Sequence, residues 1–249
     1  MTPSRWKGDP RSSLVEVLDT LERCWHQGDL FRPDFSKEPL DGLVLTVLSQ
    51  NTNDRNRDMA YGRLRSAFPS WEAVAAAPRE EVEEALRPAG LAPGKTKAIL
   101  AILAQLHRTF GAFSLESLRL MPPEEARSFL EQLPGVGPKT AACTLLFDLA
   151  VPAFPADTHV SRVCRRLGLV PPSATPPQIM AFVESFLPPS YFLPGHLNMI
   201  EHGRHRCRAR SPRCDECEIR DWCEFPASTS AEKEVRRPAR SSNKRKDLA

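Results

Sequence analysis

The segment from Leu133 to Val163 constrains the fold more than any other part of the 249-residue chain. It reads LPGVGPKTAACTLLFDLAVPAFPADTHVSRV, in which apolar stretches flank a short turn containing Gly135, Gly137 and Pro138. Glycine allows positive φ angles, and proline fits the first turn of a helix. The pattern predicts a helix-hairpin-helix. Backbone N–H groups of Gly135, Val136 and Gly137 would then bind a phosphate, whatever base it carries.

Two residues with reactive side chains follow this turn. Lys139 is expected as the second residue of the next helix, and Asp157 stands 18 positions later at the head of another helix. An amine is nucleophilic only without its proton, and an ordinary lysine has a pKa of about 10.4, so a reactive lysine must be largely withdrawn from water. Asp157 can cap its helix and still accept a proton or stabilise cationic charge. Singly, the two would be a solvated lysine and an ordinary cap; beside the hairpin, they predict chemistry on a sugar-phosphate backbone.

The rest of the chain has the pattern of an all-α protein. Its hydrophobic content of 41% is enough for a core, and apolar residues recur at helical spacing rather than alternating with period two. Many of its 24 prolines stand where a helix would start or has just ended. We predict about ten helices, one beginning near Ser12 and others over residues 54–68, 71–77, 79–86, 95–110, 124–133, 139–149, 158–167, 177–186 and 196–202.

These helices are expected to form two lobes. Residues 40–150 would make a helical lobe that contains the hairpin. Residues 12–39 and 151–225 would make a second lobe around a cysteine-rich loop, and residues 1–11 and the basic tail 226–249 would be disordered. Lys139 and Asp157 would face the cleft between the lobes, where functional sites often lie.

Charge and segment composition indicate the partner and the compartment. The net charge is only +3, but Arg208, Arg210 and Arg213 fall in a short stretch without acidic residues, which favours a polyanionic partner. No apolar run approaches the roughly 18 residues of a membrane span, and the first residues lack a signal-peptide pattern. We therefore expect a monomer in the cytoplasm, associated with the nucleoid in a bacterium, with no membrane partner and no disulfides.

Four of the seven cysteines lie within 17 residues, with the spacing Cys-x6-Cys-x2-Cys-x5-Cys. They are Cys207, Cys214, Cys217 and Cys223. Structural zinc usually uses two close pairs separated by a longer loop, whereas all three loops here are short. An iron–sulfur cluster offers a larger perimeter for the chain to surround, so the spacing favours a cluster over zinc, and either over free thiols. The cluster would hold the arginine-bearing loop rigidly, without any required redox role.

Taken together, these motifs resemble the endonuclease III family of helix-hairpin-helix DNA glycosylases and AP lyases. The hairpin LPGVGPKTA, its lysine, the downstream Ala-Asp-Thr-His sequence and the cysteine loop occur in that family's order and spacing, and the resemblance covers roughly residues 40 to 225. It implies a two-lobed glycosylase fold with a [4Fe–4S] cluster. It also implies base excision repair, in which Lys139 attacks the sugar C1′ of an oxidised pyrimidine in damaged double-stranded DNA, forms a Schiff base and allows β-elimination, assisted by Asp157.

Further DNA contacts are predicted where the chain departs from the family or resembles it less closely. Family members often have Ser-Ala-Gln-Ala/Thr-Thr-Asp where this chain has SQNTND, so Gln50 and Asn51 are both candidates to fill the gap left by a flipped base. Leu91 could enter the duplex as a wedge or belong to a plain helix connector. His159 could orient Asp157 or touch DNA, although a histidine in a helix's first turn is often simply packed.

Two other functions remain open at this point. A monofunctional glycosylase of the same fold would use the aspartate to activate water and would not need Lys139. A non-catalytic DNA-binding module would use the hairpin and the cluster for shape recognition and would need neither reactive residue.

Overall fold

The computed structural model describes residues 10–26 and 32–225. Within these residues it contains eleven α-helices, five short 3-10 helices and no β-strand, which confirms the all-α prediction. The α-helices are α1 Pro10–Trp25, α2 Pro39–Ser49, α3 Asp54–Ala67, α4 Trp71–Ala76, α5 Arg79–Leu86, α6 Ala92–Phe110, α7 Pro123–Glu131, α8 Pro138–Asp148, α9 Thr158–Leu167, α10 Pro176–Glu184 and α11 Phe192–His205. No helix among the described residues is long and apolar enough to cross a membrane.

Three helix starts differ from the sequence prediction by two residues or more. Helix α1 begins at Pro10, so the boundary of the predicted disordered segment 1–11 is wrong by two residues; residues 1–9 and the predicted tail 226–249 lie outside the described residues. Helix α6 begins at Ala92 and α11 at Phe192, both earlier than predicted. Each carries a proline in its first turn, where the missing N–H has no helical partner to lose.

The helices pack as two groups that meet near α8. Helix α2 packs on α8, α3 and α6, while α7 packs on α8; in the other group α1 packs on α11 and α11 on α9. Helix α10 contacts both α8 and α9. This packing is what the two-lobed glycosylase fold requires, although the exact domain boundaries at residues 39/40 and 150/151 stay predictions.

An extended, largely buried segment connects α8 to α9 and carries the chain from one group to the other. Phe154 is fully buried in it, and its N–H donates to Glu184 Oε1 at 2.7 Å. The same oxygen accepts from Arg127 Nη2 of α7 at 2.9 Å. Glu184, the last residue of α10, thus links this segment to α7 of the first group and to α10, which contacts both groups. These contacts hold the segment that leads into α9.

The hairpin between α7 and α8 has the predicted form, but only one glycine uses a left-handed conformation. The Val136 N–H donates to the Leu133 carbonyl at 3.1 Å, closing the turn. Gly135 has φ 79°, and a Cβ there would lie 3.1 Å from Ala98 Cβ. Gly137 has φ −95°, and a Cβ there would meet nothing within 4 Å. Gly135 is therefore required by the backbone, whereas Gly137 leaves open space beside the start of α8.

This difference predicts opposite sensitivities of two neighbouring glycines. Gly135→Ala should lower the free energy of unfolding by about 1–2 kcal/mol, because a Cβ disfavours the left-handed region and crowds Ala98. Gly137→Ala, the matched control, should change it by less than about 0.5 kcal/mol. Urea denaturation of both variants measures this. Equal losses in the two would contradict the assignment.

Candidate active site and iron–sulfur loop

A cleft of about 640 Å³ opens where α8 and α9 begin. Lys139 and Asp157 both line it, and Gln50 and Asn51 enter from the loop between α2 and α3. The structure thus brings together four residues that are up to 107 positions apart in sequence (50 to 157). The volume lies within the range of about 300–1,000 Å³ that is usual for small-molecule sites.

Asp157 caps α9, as predicted from the sequence. Its Oδ1 accepts a hydrogen bond from the Val160 N–H at 2.8 Å, and the residue is half-buried. This bond satisfies one of the orphan N–H groups of the helix. The cap uses Oδ1 and fixes the orientation of the carboxylate at the cleft wall.

Lys139 is the second residue of α8, again as predicted, but it is half-buried rather than fully buried. The cleft alone therefore withdraws the amine from water only in part. Its neighbour Cys143, one turn further along α8, is 5% exposed. Burial raises the pKa of the Cys143 thiol more than Lys139 lowers it. The thiol is therefore neutral near pH 7 and adds no charge beside the amine.

The first turn of α8 offers unclaimed hydrogen-bond donors. Gly137 is the N-cap, no side chain caps this helix, and Pro138 follows. The first-turn N–H groups and the positive end of the helix dipole point past Gly137 toward the open space beside it. Such a terminus is suited to bind a phosphate.

Sequence reasoning missed His196, which lies buried close to both reactive residues. Its Nδ1 donates to the Pro155 carbonyl at 2.8 Å, which supports the segment that leads into Asp157. Burial lowers the pKa of His196 to about 4, and the nearby Lys139 also lowers it, while Asp157 raises it. The ring is therefore neutral near pH 7. Its only signal in the sequence is a histidine at the start of a predicted helix, which does not distinguish it from a packed core residue.

The loop residues predicted to touch DNA gather beside this cleft. Gln50 Nε2 donates to the Gly135 carbonyl at 3.1 Å and contacts Thr140 Oγ1 at 3.4 Å. Gln50, Asn51, Leu91 and Gly135 line an adjoining cavity of about 210 Å³. Leu91 is 66% exposed, so its side chain is accessible where it borders this cavity. Val136, by contrast, is buried, and its N–H already donates to the Leu133 carbonyl at 3.1 Å, so its role in binding a phosphate stays a prediction.

His159, a predicted site residue, lies away from the cleft, whereas Arg165, which was not predicted, lines it. His159 is not among the cleft residues; its Nδ1 lies 3.1 Å from Arg162 Nη2, and the ring packs near Gly203 of α11. Arg165, which the sequence does not single out, lines the cleft. Its Nε and Nη2 donate to the Ala174 carbonyl at 3.0 and 2.7 Å, so the guanidinium is held in place.

The four cysteines of the C-terminal loop line one cavity, together with apolar side chains of α9. Burial raises the pKa of Cys217 to about 12 and that of Cys223 to about 11, so ligation must displace their protons. Across the described ranges, no three His, Cys, Asp or Glu side chains are grouped closely enough to hold a single metal ion. All four thiols nevertheless border the same cavity, so each of them could reach one group bound there.

Two arginines of α9 hold the backbone of the cluster loop by hydrogen bonds. Arg166 donates to the carbonyls of Arg208 at 2.7 Å and Ala209 at 3.2 Å, and Arg162 Nε donates to the Cys207 carbonyl at 2.8 Å. The backbone of the loop is thus fixed while its own arginine side chains are exposed. These are Arg208, Arg210 and Arg213.

The comparisons with known proteins agree with this geometry. Residues 44–189 match the family model described as HhH-GPD superfamily base excision DNA repair protein. Residues 207–223, which begin and end at cysteines, match the iron–sulfur binding domain of endonuclease III. The fold and the site thus define a base excision DNA repair protein of the helix-hairpin-helix superfamily.

Individual relatives place the chain within that class. It is 34% identical over 188 residues to endonuclease III of Thermotoga maritima, covering 76% of this chain and 84% of the relative. It is 40% identical over 162 residues to a putative DNA glycosylase of Arabidopsis thaliana, covering 65% of this chain and 55% of that longer protein. A trapped endonuclease III–DNA covalent intermediate matches it with a TM-score of 0.74 and 26% identity, covering 90% of this chain and all of that one.

The chain belongs to the endonuclease III family, and it carries that family's [4Fe–4S] cluster in the C-terminal loop. Bound through cysteines of this loop, the cluster would cross-link a segment in which Ile219 is the only core residue among the described positions 207–223. Cys207, Cys214, Cys217 and Cys223 stay the predicted ligands.

The ligand assignment is tested by removing one thiol at a time. Anaerobically purified protein should be brown and contain about four iron atoms and four sulfides per chain. Cys217→Ser should lose most of this iron and its visible absorption, because a hydroxyl is a poor iron ligand. Cys24→Ser, outside the loop, is the control and should keep both. A colourless wild type with one zinc, or full iron in the Cys217 variant, would contradict the assignment.

Proposed function

We propose that the protein is a bifunctional DNA glycosylase and AP lyase that removes oxidised pyrimidines from damaged double-stranded DNA. The observation that carries this proposal is the placement of Lys139 and Asp157 in one cleft, beside a helix terminus that has no side-chain cap. A nucleophilic amine, a carboxylate and a phosphate grip are the groups that chemistry at a deoxyribose requires.

DNA binding would begin at the phosphates. The start of α8 grips one phosphate through backbone N–H groups, and the exposed arginines of the cluster loop contact others. The damaged nucleotide is extruded into the cleft, since its C1′ cannot be reached inside the stack. Gln50 and Leu91 lie beside the cleft, where they could occupy the space that the nucleotide leaves.

The chemistry then proceeds at the extruded sugar. The lone pair of Lys139 Nζ forms a bond to C1′ while the bond from C1′ to the base nitrogen breaks, and the base leaves with that electron pair and takes up a proton. The nitrogen loses a proton, its lone pair forms the C=N bond of an imine, and the C1′–O4′ bond breaks as O4′ takes up a proton. Removal of a C2′ proton breaks the C3′–O bond and releases the 3′ phosphate. Asp157 stabilises the cationic sugar and accepts protons from the amine.

Two further observations support this sequence of steps. A protein of similar fold has been trapped as a covalent intermediate with DNA. The half-buried state of Lys139 also suits an amine whose removal from water is completed by DNA covering the cleft.

Borohydride trapping tests the nucleophile directly, because it reduces an imine to a stable adduct. Wild type should be trapped on abasic duplex DNA, and Lys139→Gln should lose trapping and strand cleavage while its affinity falls little, since the phosphate grip is backbone. Asp157→Asn should lose most base removal but still trap on a preformed abasic site, where no base has to leave. Lys97→Gln, an exposed lysine on α6, is the control and should match wild type.

The outcomes separate the competing functions. Base release without any trapping by wild type would indicate a monofunctional glycosylase. Binding without base release or trapping would indicate a non-catalytic DNA-binding module. Normal trapping by the Lys139 variant would mean that another amine is the nucleophile.

The contribution of the cluster loop appears in the salt dependence of binding. Each phosphate contact contributes about 0.9 to the slope of log affinity against log salt on duplex DNA. Arg208→Ala, Arg210→Ala and Arg213→Ala should each flatten the slope by up to that amount without changing sequence preference. Arg220→Ala is the control, because Arg220 is exposed in the same region but held by Asp215 at 3.1 Å, a closer pair than the 3.8 Å one between Arg213 and Glu216. Unchanged slopes in all three variants would mean that the loop faces away from DNA.

A further inference from the structure

Lys95 is a charged side chain buried in α6, with only 5% of its surface exposed. Its Nζ donates to the Leu48 carbonyl at 2.6 Å and to the Ala89 carbonyl at 2.8 Å. A buried ammonium is unusual unless strong acceptors surround it. The two carbonyls are the acceptors that make burial of this ammonium possible.

Both acceptors stand at the ends of helical elements. Leu48 is the residue before the last in α2, and Ala89 is the last residue of the 3-10 helix Arg87–Ala89. Carbonyls in these positions have no partner further along the helix and carry the negative end of the helix dipole. One cation thus caps two chain segments that are 41 residues apart (48 to 89).

Each capped carbonyl lies shortly before a loop at the cleft. Gln50 stands two residues after Leu48, and Leu91 stands two residues after Ala89. Asn51 has φ 55° and Leu91 has φ 49°. Asparagine adopts this left-handed conformation readily, but leucine does so rarely, so the backbone at Leu91 in particular needs support from its surroundings. Both loops line the cavity of about 210 Å³, and Lys95 lies in its wall.

We propose that Lys95 is a positioning residue that ties the Gln50–Asn51 loop and the Leu91 loop to one point, so that both enter the duplex together when a nucleotide is extruded. The proposal rests on the proposed function, because it concerns how that cleft opens the DNA. A lysine suits this task, since its ammonium has several donors and no acceptor and its long stem reaches the carbonyls from within α6.

The test compares two substrates that differ in the need for extrusion. Lys95→Met keeps the length and the apolar stem but removes all donors. On duplex DNA with an oxidised pyrimidine, base release should slow by about tenfold or more, since two buried carbonyls lose their partner and the loops lose their common support. On a single-stranded abasic oligonucleotide, borohydride trapping should stay within about twofold of wild type, because no base pair has to be opened.

Two controls distinguish positioning from general damage. Lys97→Met changes an exposed lysine on the same helix and should leave both activities at the wild-type level. In a Leu91→Ala background, Lys95→Met should cost much less on the duplex than it does alone, because one of the two loops it supports no longer acts. Full additivity, or loss of trapping on the single strand together with the duplex activity, would overturn the proposal.

Amide hydrogen exchange provides a readout that does not depend on activity. In wild type, the amides of Gln50 and Gly90, which donate to the Val47 and Arg87 carbonyls, should be protected; in Lys95→Met they should exchange faster while α8 keeps its protection. If the variant does not fold, the wild-type experiment still decides, since exchange of both loops at unfolded rates would rule out a brace. Failure of the proposed function is recognised separately, as an absence of trapping by wild type itself.

Discussion

Glu184 forms the contact on which the geometry of the site most depends. It joins Arg127 of α7, its own helix α10 and the backbone of the segment that leads into α9. Because α8 and α9 belong to differently packed groups of helices, the chain must cross between the groups within a few residues. The crossing brings the starts of both helices to one cleft. A reactive amine and a carboxylate on the first turns of two helices can meet only if that crossing is fixed.

Helix α9 connects the cleft that contains Asp157 to the cluster loop. Asp157 stands at its N-terminus, and Arg162 and Arg166, one and two turns along, hold the backbone of the cluster loop. The helix is ten residues long, or roughly 15 Å. The proposed phosphate contacts of the loop and the proposed chemistry at the cleft are therefore attached to the same short, stiff element.

The parts of this arrangement that depend on local sequence could be predicted. The hairpin, the position of Lys139 on its helix and the cap made by Asp157 follow from spacings of a few residues, and so does the cysteine loop. His196 and Lys95 could not be predicted, because their roles depend on carbonyls 41 and 47 positions away. The same holds for His159, which faces α11 and not the cleft, and for the half-buried state of Lys139. These features are decided by packing between helices, which periodicity in the sequence does not specify.

Gln50 has hydrogen-bond partners before DNA arrives, and this affects what it can contribute. Its amide is bonded to the Gly135 carbonyl at the hairpin. Entry of that amide into a duplex exchanges an existing bond for a new one, and such an exchange yields little net free energy. The balance becomes favourable only where the DNA presents a partner of equal quality, and a fully stacked duplex presents none. Gln50 is accordingly better suited to distinguishing one DNA structure from another than to making binding tight.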